Sequence, residues 1–421
     1  MQPINLYIID ISSSKSISGV DRHIEELLEG LKAYPFIHVH WIQLLHDKTL
    51  IMYREENNEQ YTKTTFPLPQ NYKEIIKEKF WMSKYNKHIF HLVKRFFHEK
   101  DNCIIHIHTL NLIDLALLIK QHINCKIITH LHCIPWKDCY NTNPKRFNHL
   151  YHSVYHRPKN IKDYHSFLTN NCEYDSYSKA NHIISGTQCG VDFLTETMGI
   201  SRRNITIANN GMNDYAENYR KVNFKDSLSH IQCLFVANLS KSKGLDYVLK
   251  ALRIVKEKGF NVTLKVAGYT TPSLTNKIKR DNPDLNIDIL GVKTFEELIE
   301  LYKNNEIGLI ASLQEQFSFV GIEMAMFGLP VVTTAVDGLD EIFTDNINAL
   351  KVNACFSIET GLSVDVAMMA EKIILLIENK NLRINLSKNA RKLFENRLKL
   401  QIMMKQTISV YHKMIGELQY E

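Results

Sequence analysis

A chain of 421 residues with 44% hydrophobic and 23% charged side chains is long enough for two or three domains, each with its own core. Only 16 Gly and 10 Pro argue against long disordered or repetitive segments, and no uninterrupted apolar run is long enough to span a bilayer. The net charge of +6 is modest but uneven: residues 72–165 hold 16 Lys/Arg against 7 Asp/Glu, which is +9 in that segment alone.

Taken in chain order, the opening "MQPINLYIIDISS" lacks a basic leader and meets Asp10 inside its apolar run, so it reads as a first strand rather than a secretory signal. In "GVDRHIEELLEGLKAY" the apolar residues Ile24, Leu27, Leu28 and Leu31 fall at helical spacing, completing a strand-loop-helix unit. Further strands are expected at "IHVHWIQLL", "NCIIHIHT", "CKIITHLH" and "ANHIISGT", with helical stretches such as "LIDLALLIKQ" between them. A polar stretch around Asn210-Gly211 follows, and the alternation starts afresh at "IQCLFVANLS". It continues through "VTLKVAG", "NIDILG", "IGLIASL", "LPVVTTAV" and "NALKV". Strands alternating with helices imply parallel, doubly wound sheets, and two such halves meeting near residues 212–230 suggest ligand binding beyond the carboxyl ends of their strands. The cysteines are scattered and never form Cys-x-x-Cys, which suits reduced core thiols and a cytoplasmic location.

The stretch "EQFSFVGIE" places Glu315 in the loop after "IGLIASL" and Glu323 on the following helix, with Ser318 as its N-cap and Gly328 as its terminator. Eight residues on a continuous helix would turn about 80° from alignment, so the two carboxylates need not share a face. The backbone N–H groups of residues 316–320 emerge from a helix start between them, ready for an anion. A ligand with both phosphates and hydroxyls would use all of these groups; by spacing alone, a capping Glu315 and a solvated Glu323 are the preferred explanation of the pattern. Lys241 and Lys243 lie between the first strand and first helix of the second half, where they are either cations aimed at the same edge or solvated loop lysines.

With "EQFSFVGIEMAMFGLPVVTT", "GLDEIF", "FVANLSKSKGLDYVLKAL", "LKVAG", "DILGVKTFEELIELY", "ITIANNGM" and "SGVDRHIEELLEGL" in this order, the chain resembles the family 4 retaining glycosyltransferases of GT-B fold (glycosyl transferases group 1) over essentially its whole length. The resemblance implies an α/β chain of two Rossmann-like domains: residues 1–215, an acceptor-binding domain on which the C-terminal helix of about 400–421 packs back, and residues 228–397, a nucleotide-sugar-binding domain. It implies transfer of a sugar from a nucleotide-diphosphate sugar, with retention at the anomeric carbon and without a metal or other cofactor. Glu315 would contact the sugar hydroxyls, helped by the amides of Gln316, Phe317, Ser318, Phe319 and Val320 near sugar and phosphate. Glu323 would hold the ribose, and Lys243 would neutralise the diphosphate. Asn238 stands where the family has an arginine, which removes one cation from the leaving-group clamp; Lys241 is the expected substitute. Gly19 would let backbone approach the donor phosphate, and His132 would face the donor sugar.

"HIHT" and "THLHC" each put two histidines on one strand face, at 106, 108, 130 and 132. Four imidazoles could bind zinc, but no carboxylate or Cys-x-x-Cys completes a familiar ligand spacing, so buried, hydrogen-bonded histidines are preferred at 106, 108 and 130 and no metal is expected. Acceptor binding, to a glycan, a lipid-linked carrier or a protein, is expected of the N-terminal half. There, residues 72–100 mix eight Lys/Arg with Phe80, Trp81, Phe90, Phe96 and Phe97, and residues 143–159 repeat the character. Peripheral docking on an anionic membrane, at the inner face, and a solvated basic face over core aromatics weigh about evenly. Nucleic acid is not an expected partner, because no recognition fingerprint accompanies the basic residues. Two other functions stay open: a glycosyltransferase-like binding or scaffold subunit weakened by Asn238, and a GT-B sugar-nucleotide epimerase.

Overall fold

The first strand, β1 (Ile4–Ser13), carries an apolar run that is buried on both faces, as a strand covered by helices on each side must be. The computed structural model describes residues 3–13, 18–47, 49–68, 79–97, 102–145, 173–220, 224 and 230–418, with only the backbone of 79–82, 135, 136, 139, 173, 417 and 418. The chain forms two compact units: Met1–His132 with Tyr155–Asn209 and Leu400–Glu421, and Cys133–Val154 with Asn210–Lys399.

In the first unit β1 is joined by β2 (Ile37–His46), β3 (Arg54–Asn57), β4 (Tyr61–Pro67), β5 (Asn102–Ile107), β6 (Cys125–Leu131), β7 (His182–Ser185) and β8 (Ile205–Ile207). Their order is β3-β4-β2-β1-β5-β6-β7-β8. Every neighbouring pair is parallel except β3 and β4, an antiparallel edge that sequence reading does not anticipate because "REENNEQYTK" is polar and β3 is wholly exposed. Helix Gly19–Leu31 buries Ile24, Leu27, Leu28 and Leu31, as its spacing predicts, in a core shared with Met403, Met404, Tyr411, Met414 and Ile415 of helix Leu400–Leu418. Of the basic-aromatic stretch, Phe97 is buried in the core and Phe90 and Phe96 pack against it, which favours the core reading of those rings. Residues 72–78, 98–100 and 146–159, and the side chains of Phe80 and Trp81, lie outside the described residues.

The second unit holds β9 (Ile231–Val236), β10 (Val262–Ala267), β11 (Asn286–Gly291), β12 (Ile307–Ile310), β13 (Val331–Thr334) and β14 (Leu350–Val352), all parallel, in the order β11-β10-β9-β12-β13-β14. Beside them a hairpin, β15 (Ala354–Ser357) with β16 (Gly361–Val364), stacks Phe356 on Tyr140, ring centroids 4.7 Å apart. Tyr140 lies on helix Pro135–Thr142, which therefore groups with the second unit although sequence reading assigns all of 1–215 to the first. In both sheets the strand order reverses at one place, between β1 and β5 and between β9 and β12, and such reversals leave a crevice at the carboxyl ends of the two strands.

Two buried histidines tie this fold to pH. His40 hydrogen-bonds Thr64 Oγ1 at 3.0 Å, and His182 bonds Thr206 Oγ1 at 2.8 Å. Burial, reinforced by Arg95 at His40 and by Lys413 at His182, pushes each down to about 4 from an ordinary 6.5. Folding therefore favours the neutral rings: their contribution is complete above pH 6.5 and is lost as pH falls toward 4. Between pH 7.5 and 5 the pair should cost about 2–4 kcal/mol, at ~1.4 kcal/mol per pH unit for each ring. Urea unfolding at those two pH values checks it, and equal midpoints would exclude the effect.

Candidate functional site

At the carboxyl ends of β9 and β12 the chain runs through two loops, residues 237–244 and 311–318, which converge at the crevice of the second sheet. Leu313 N donates to Ser242 O at 2.7 Å, stitching the loops together. Gly244 caps the short 3-10 turn Lys241–Lys243 with φ of +73°, and a Cβ there would come within 2.0 Å of Ala311 O, so only glycine permits this approach. The outcome is that Lys243 Nζ meets Glu315 Oε2 at 2.5 Å, while Ser312 Oγ reaches the same oxygen at 3.3 Å. A cation and an anion are thus paired at the loop edge, the lysine side chain 31% and the glutamate 17% exposed.

Beyond Glu315 the sequence expectation for the helix holds. Ser318 caps helix Phe319–Met326, its Oγ accepting from Gly321 N at 3.1 Å, and Gly328 follows with φ of +61°. Phe317, Phe319 and Ile322 are buried in the core and Val320 packs against it, which anchors the amides of the helix start. Glu323 is buried, and Tyr302 Oη donates to its Oε2 at 2.5 Å. The solvated-helix explanation of Glu323 is thereby removed. Gln316 is also buried, and among the described residues neither its Oε1 nor its Nε2 has a hydrogen-bond partner.

Two expected members turn elsewhere. Asn238 Oδ1 accepts from Tyr269 N at 3.3 Å, so this side chain holds backbone. Lys241 Nζ donates to Thr142 O at 2.5 Å, the last carbonyl of helix Pro135–Thr142. The same helix contributes residues that sequence reading misses. Asp138 bonds Ser242, and burial raises its carboxyl against the opposing pull of that bond and of Lys243. Lys137 pairs with Asp337, whose φ of +42° is left-handed. Gly338 N then donates to Glu315 O at 2.8 Å, and a Cβ at Gly338 would lie 2.0 Å from Gln316 O. The "GLDEIF" turn thus braces the backbone of 315–316 from beneath, a contact that no local spacing reveals.

In the first unit Gly19 opens helix Gly19–Leu31 behind a complete capping box: Asp21 N donates to Ser18 Oγ at 3.2 Å and Ser18 N donates to Asp21 Oδ2 at 2.7 Å. The carboxylate of Asp21 therefore already serves this helix start. At the reversal between β1 and β5, His132 Nε2 sits 2.9 Å from His108 Nδ1 and stacks on His130 with centroids 4.2 Å apart. His106 Nδ1 meets Tyr411 Oη at 2.9 Å. Hydrogen bonds were expected at all three strand histidines, yet among the described residues the Nδ1 of buried His130 has no partner. Burial, reinforced by the neighbouring rings, holds His108, His130 and His132 far below the ordinary histidine range, so all three are neutral. His23 of helix Gly19–Leu31 completes the group; lying far away in sequence, it gives no signal of its own.

Residues 217–393 match the family described as Glycosyl transferases group 1. Among curated proteins, the capsular polysaccharide biosynthesis glycosyltransferase CapM of Staphylococcus aureus is 29% identical over 188 residues, 44% of this chain and 46% of CapM. The chain spans under half the length of the curated relatives first matched. Among solved structures, sucrose-phosphate synthase from Thermosynechococcus elongatus superposes with a TM-score of 0.74 over 99% of this chain and 100% of its own, at 17% identity. Anabaena HepE in complex with UDP and glucose gives 0.65 at 15% identity, over 96% of this chain and 98% of that one. At such identities the likeness establishes the fold, which is GT-B, built of two Rossmann-like α/β units.

Proposed function

We propose that this chain of GT-B fold, with its glycosyl transferases group 1 segment, is a retaining glycosyltransferase. It takes a nucleotide-diphosphate sugar as donor and a glycan, a lipid-linked carrier or a protein as acceptor, in polysaccharide or glycoconjugate assembly. The observation that carries the reading is the crevice of the second sheet, where the Lys243–Glu315 pair, an anchored helix start and buried Glu323 come together at the reversal of strand order.

Each group has work to do in such a transfer. As the bond between the anomeric carbon and the diphosphate lengthens, negative charge grows on the phosphate oxygens, and Lys243 Nζ with the amides of 316–320 would stabilise it. The diphosphate would draw Lys243 from Glu315, leaving that carboxylate to accept from sugar hydroxyls. Glu323, oriented by Tyr302, would accept from the two ribose hydroxyls. Because fixed cations and amides supply the positive charge, transfer should proceed without an added divalent ion at the phosphates. Retention follows, in this reading, from attack by the acceptor on the face the leaving phosphate vacates. Gly19 and His132, in the first unit, keep the donor-phosphate and donor-sugar roles that the resemblance implies, whereas Lys241, bonded to Thr142 O, does not stand in for the missing arginine.

Among the described residues no helix is long and apolar enough to cross a membrane. A cytoplasmic location accompanies the proposed donor, at the inner face of the membrane where the acceptor is lipid-linked. Incubation with a panel of nucleotide sugars in the presence of a chelator tests the proposal: one nucleotide diphosphate should be released, faster with the right acceptor, and the product should keep the donor's anomeric configuration. Binding of every donor with no release would instead support a binding or scaffold subunit, the reading Asn238 favours. Interconversion of donor sugars without acceptor would support an epimerase.

A further inference from the structure

Five histidines from three elements meet inside the first unit: His23 on helix Gly19–Leu31, His106 on β5 with His108 just beyond it, and His130 on β6 with His132 just beyond it. Ring centroids of His23 lie 4.3 Å from His130, 4.9 Å from His132 and 5.3 Å from His108. One nitrogen of each of His23, His108, His130 and His132 lies within 4.8 Å of the others. His23, His108 and His130 are at most 4% exposed.

We propose that these four histidines form a binding site for a late first-row transition-metal ion, of which zinc is the representative. Tetrahedral coordination at about 2.0–2.1 Å would put the four nitrogens about 3.3 Å apart, so the rings need only close inward by rotamer adjustments from their present spread. The orphaned nitrogens point the same way: His108 Nε2 and His130 Nδ1 are buried and have no hydrogen-bond partner among the described residues, an arrangement that proteins avoid unless something else fills the role. Neutral imidazoles present lone pairs, and a site of four such nitrogens without an oxygen ligand suits zinc, copper or nickel and not magnesium or calcium. His106, held through Nδ1 by Tyr411 of helix Leu400–Leu418, packs its ring 4.2 Å from that of His108 and so limits where that ligand can turn. Such an ion would clamp helix Gly19–Leu31 to the ends of β5 and β6. His132, the half-buried member, would meet the ion with one ring nitrogen and keep the other for the donor-sugar contact proposed above, and a chelator that leaves transfer running would say nothing about a buried ion.

The test uses the full chain without a polyhistidine tag. After stripping under mild chelation, loading with Zn2+ and desalting, elemental analysis should find about one zinc per chain, and the melting temperature should rise by several degrees. Loading with Co2+ should give the intense visible bands of tetrahedral coordination. A His23→Gln/His130→Gln variant should retain less than about a tenth of the zinc. Should that variant fail to fold, the cobalt spectrum of the unmodified chain decides. Retention of no metal, a weak octahedral cobalt spectrum, or equal zinc in a folded variant would each overturn the proposal.

Discussion

Replacing Lys243 by alanine is expected to lower the rate of sugar transfer about a thousand-fold, with a much smaller change in the affinity for the donor. The reasoning starts from the backbone. Gly244 packs against Ala311 and Leu313 N is bonded to Ser242 O, so the lysine is delivered to the crevice by loops with little freedom to reposition. A fixed cation needs no reorganisation when charge develops on the departing diphosphate, and removal of one such donor typically costs about 2.7–4 kcal/mol in the transition state. Neither Asn238 nor Lys241 is arranged to take over, since one bonds Tyr269 N and the other Thr142 O. Lys243→Arg should recover part of the rate, because it keeps the charge and alters its geometry. The measurement is nucleotide-diphosphate release under saturating donor, with circular dichroism confirming the fold. A loss of less than about ten-fold would remove Lys243 from the leaving-group role.

Glu323→Ala should act on the other term, weakening nucleotide-diphosphate binding by about a hundred-fold or more. A carboxylate that accepts from two hydroxyls contributes roughly 1.5–3 kcal/mol through each bond, and the site is buried, where water cannot substitute. Tyr302→Phe removes the hydroxyl that orients Glu323 and should cost about five- to ten-fold, near 1 kcal/mol. Titration calorimetry with the nucleotide diphosphate and its 2′-deoxy analogue separates the cases. In wild type the deoxy analogue should bind far more weakly, whereas Glu323→Ala should no longer distinguish the two. Continued discrimination by Glu323→Ala would assign the ribose to a different side chain.

Much of this was legible beforehand because it rests on local rules. The α/β alternation, the helix after Ser318, the stop at Gly328 and the loop position of Glu315 follow from periodicity, capping and the conformational preferences of glycine, which act over a few residues. The polar edge strand β3 was hidden, because its hydrogen bonds to β4, and not a buried face, make it a strand.

The sequence by itself determined the fold class, the order of its elements and the chemical types available at the crevice of the second sheet. Only the tertiary structure decided which of those groups meet: that Glu315 pairs with Lys243, that Glu323 is buried under Tyr302, that Gly338 supports Gln316 and that Lys241 and Asn238 turn away. It likewise brought His23 to His108, His130 and His132. The division has one physical cause. Helix and strand signals are interactions between residues near in sequence, whereas a site at a topological reversal is assembled by strands whose neighbours are set by sheet order, tens to hundreds of residues apart.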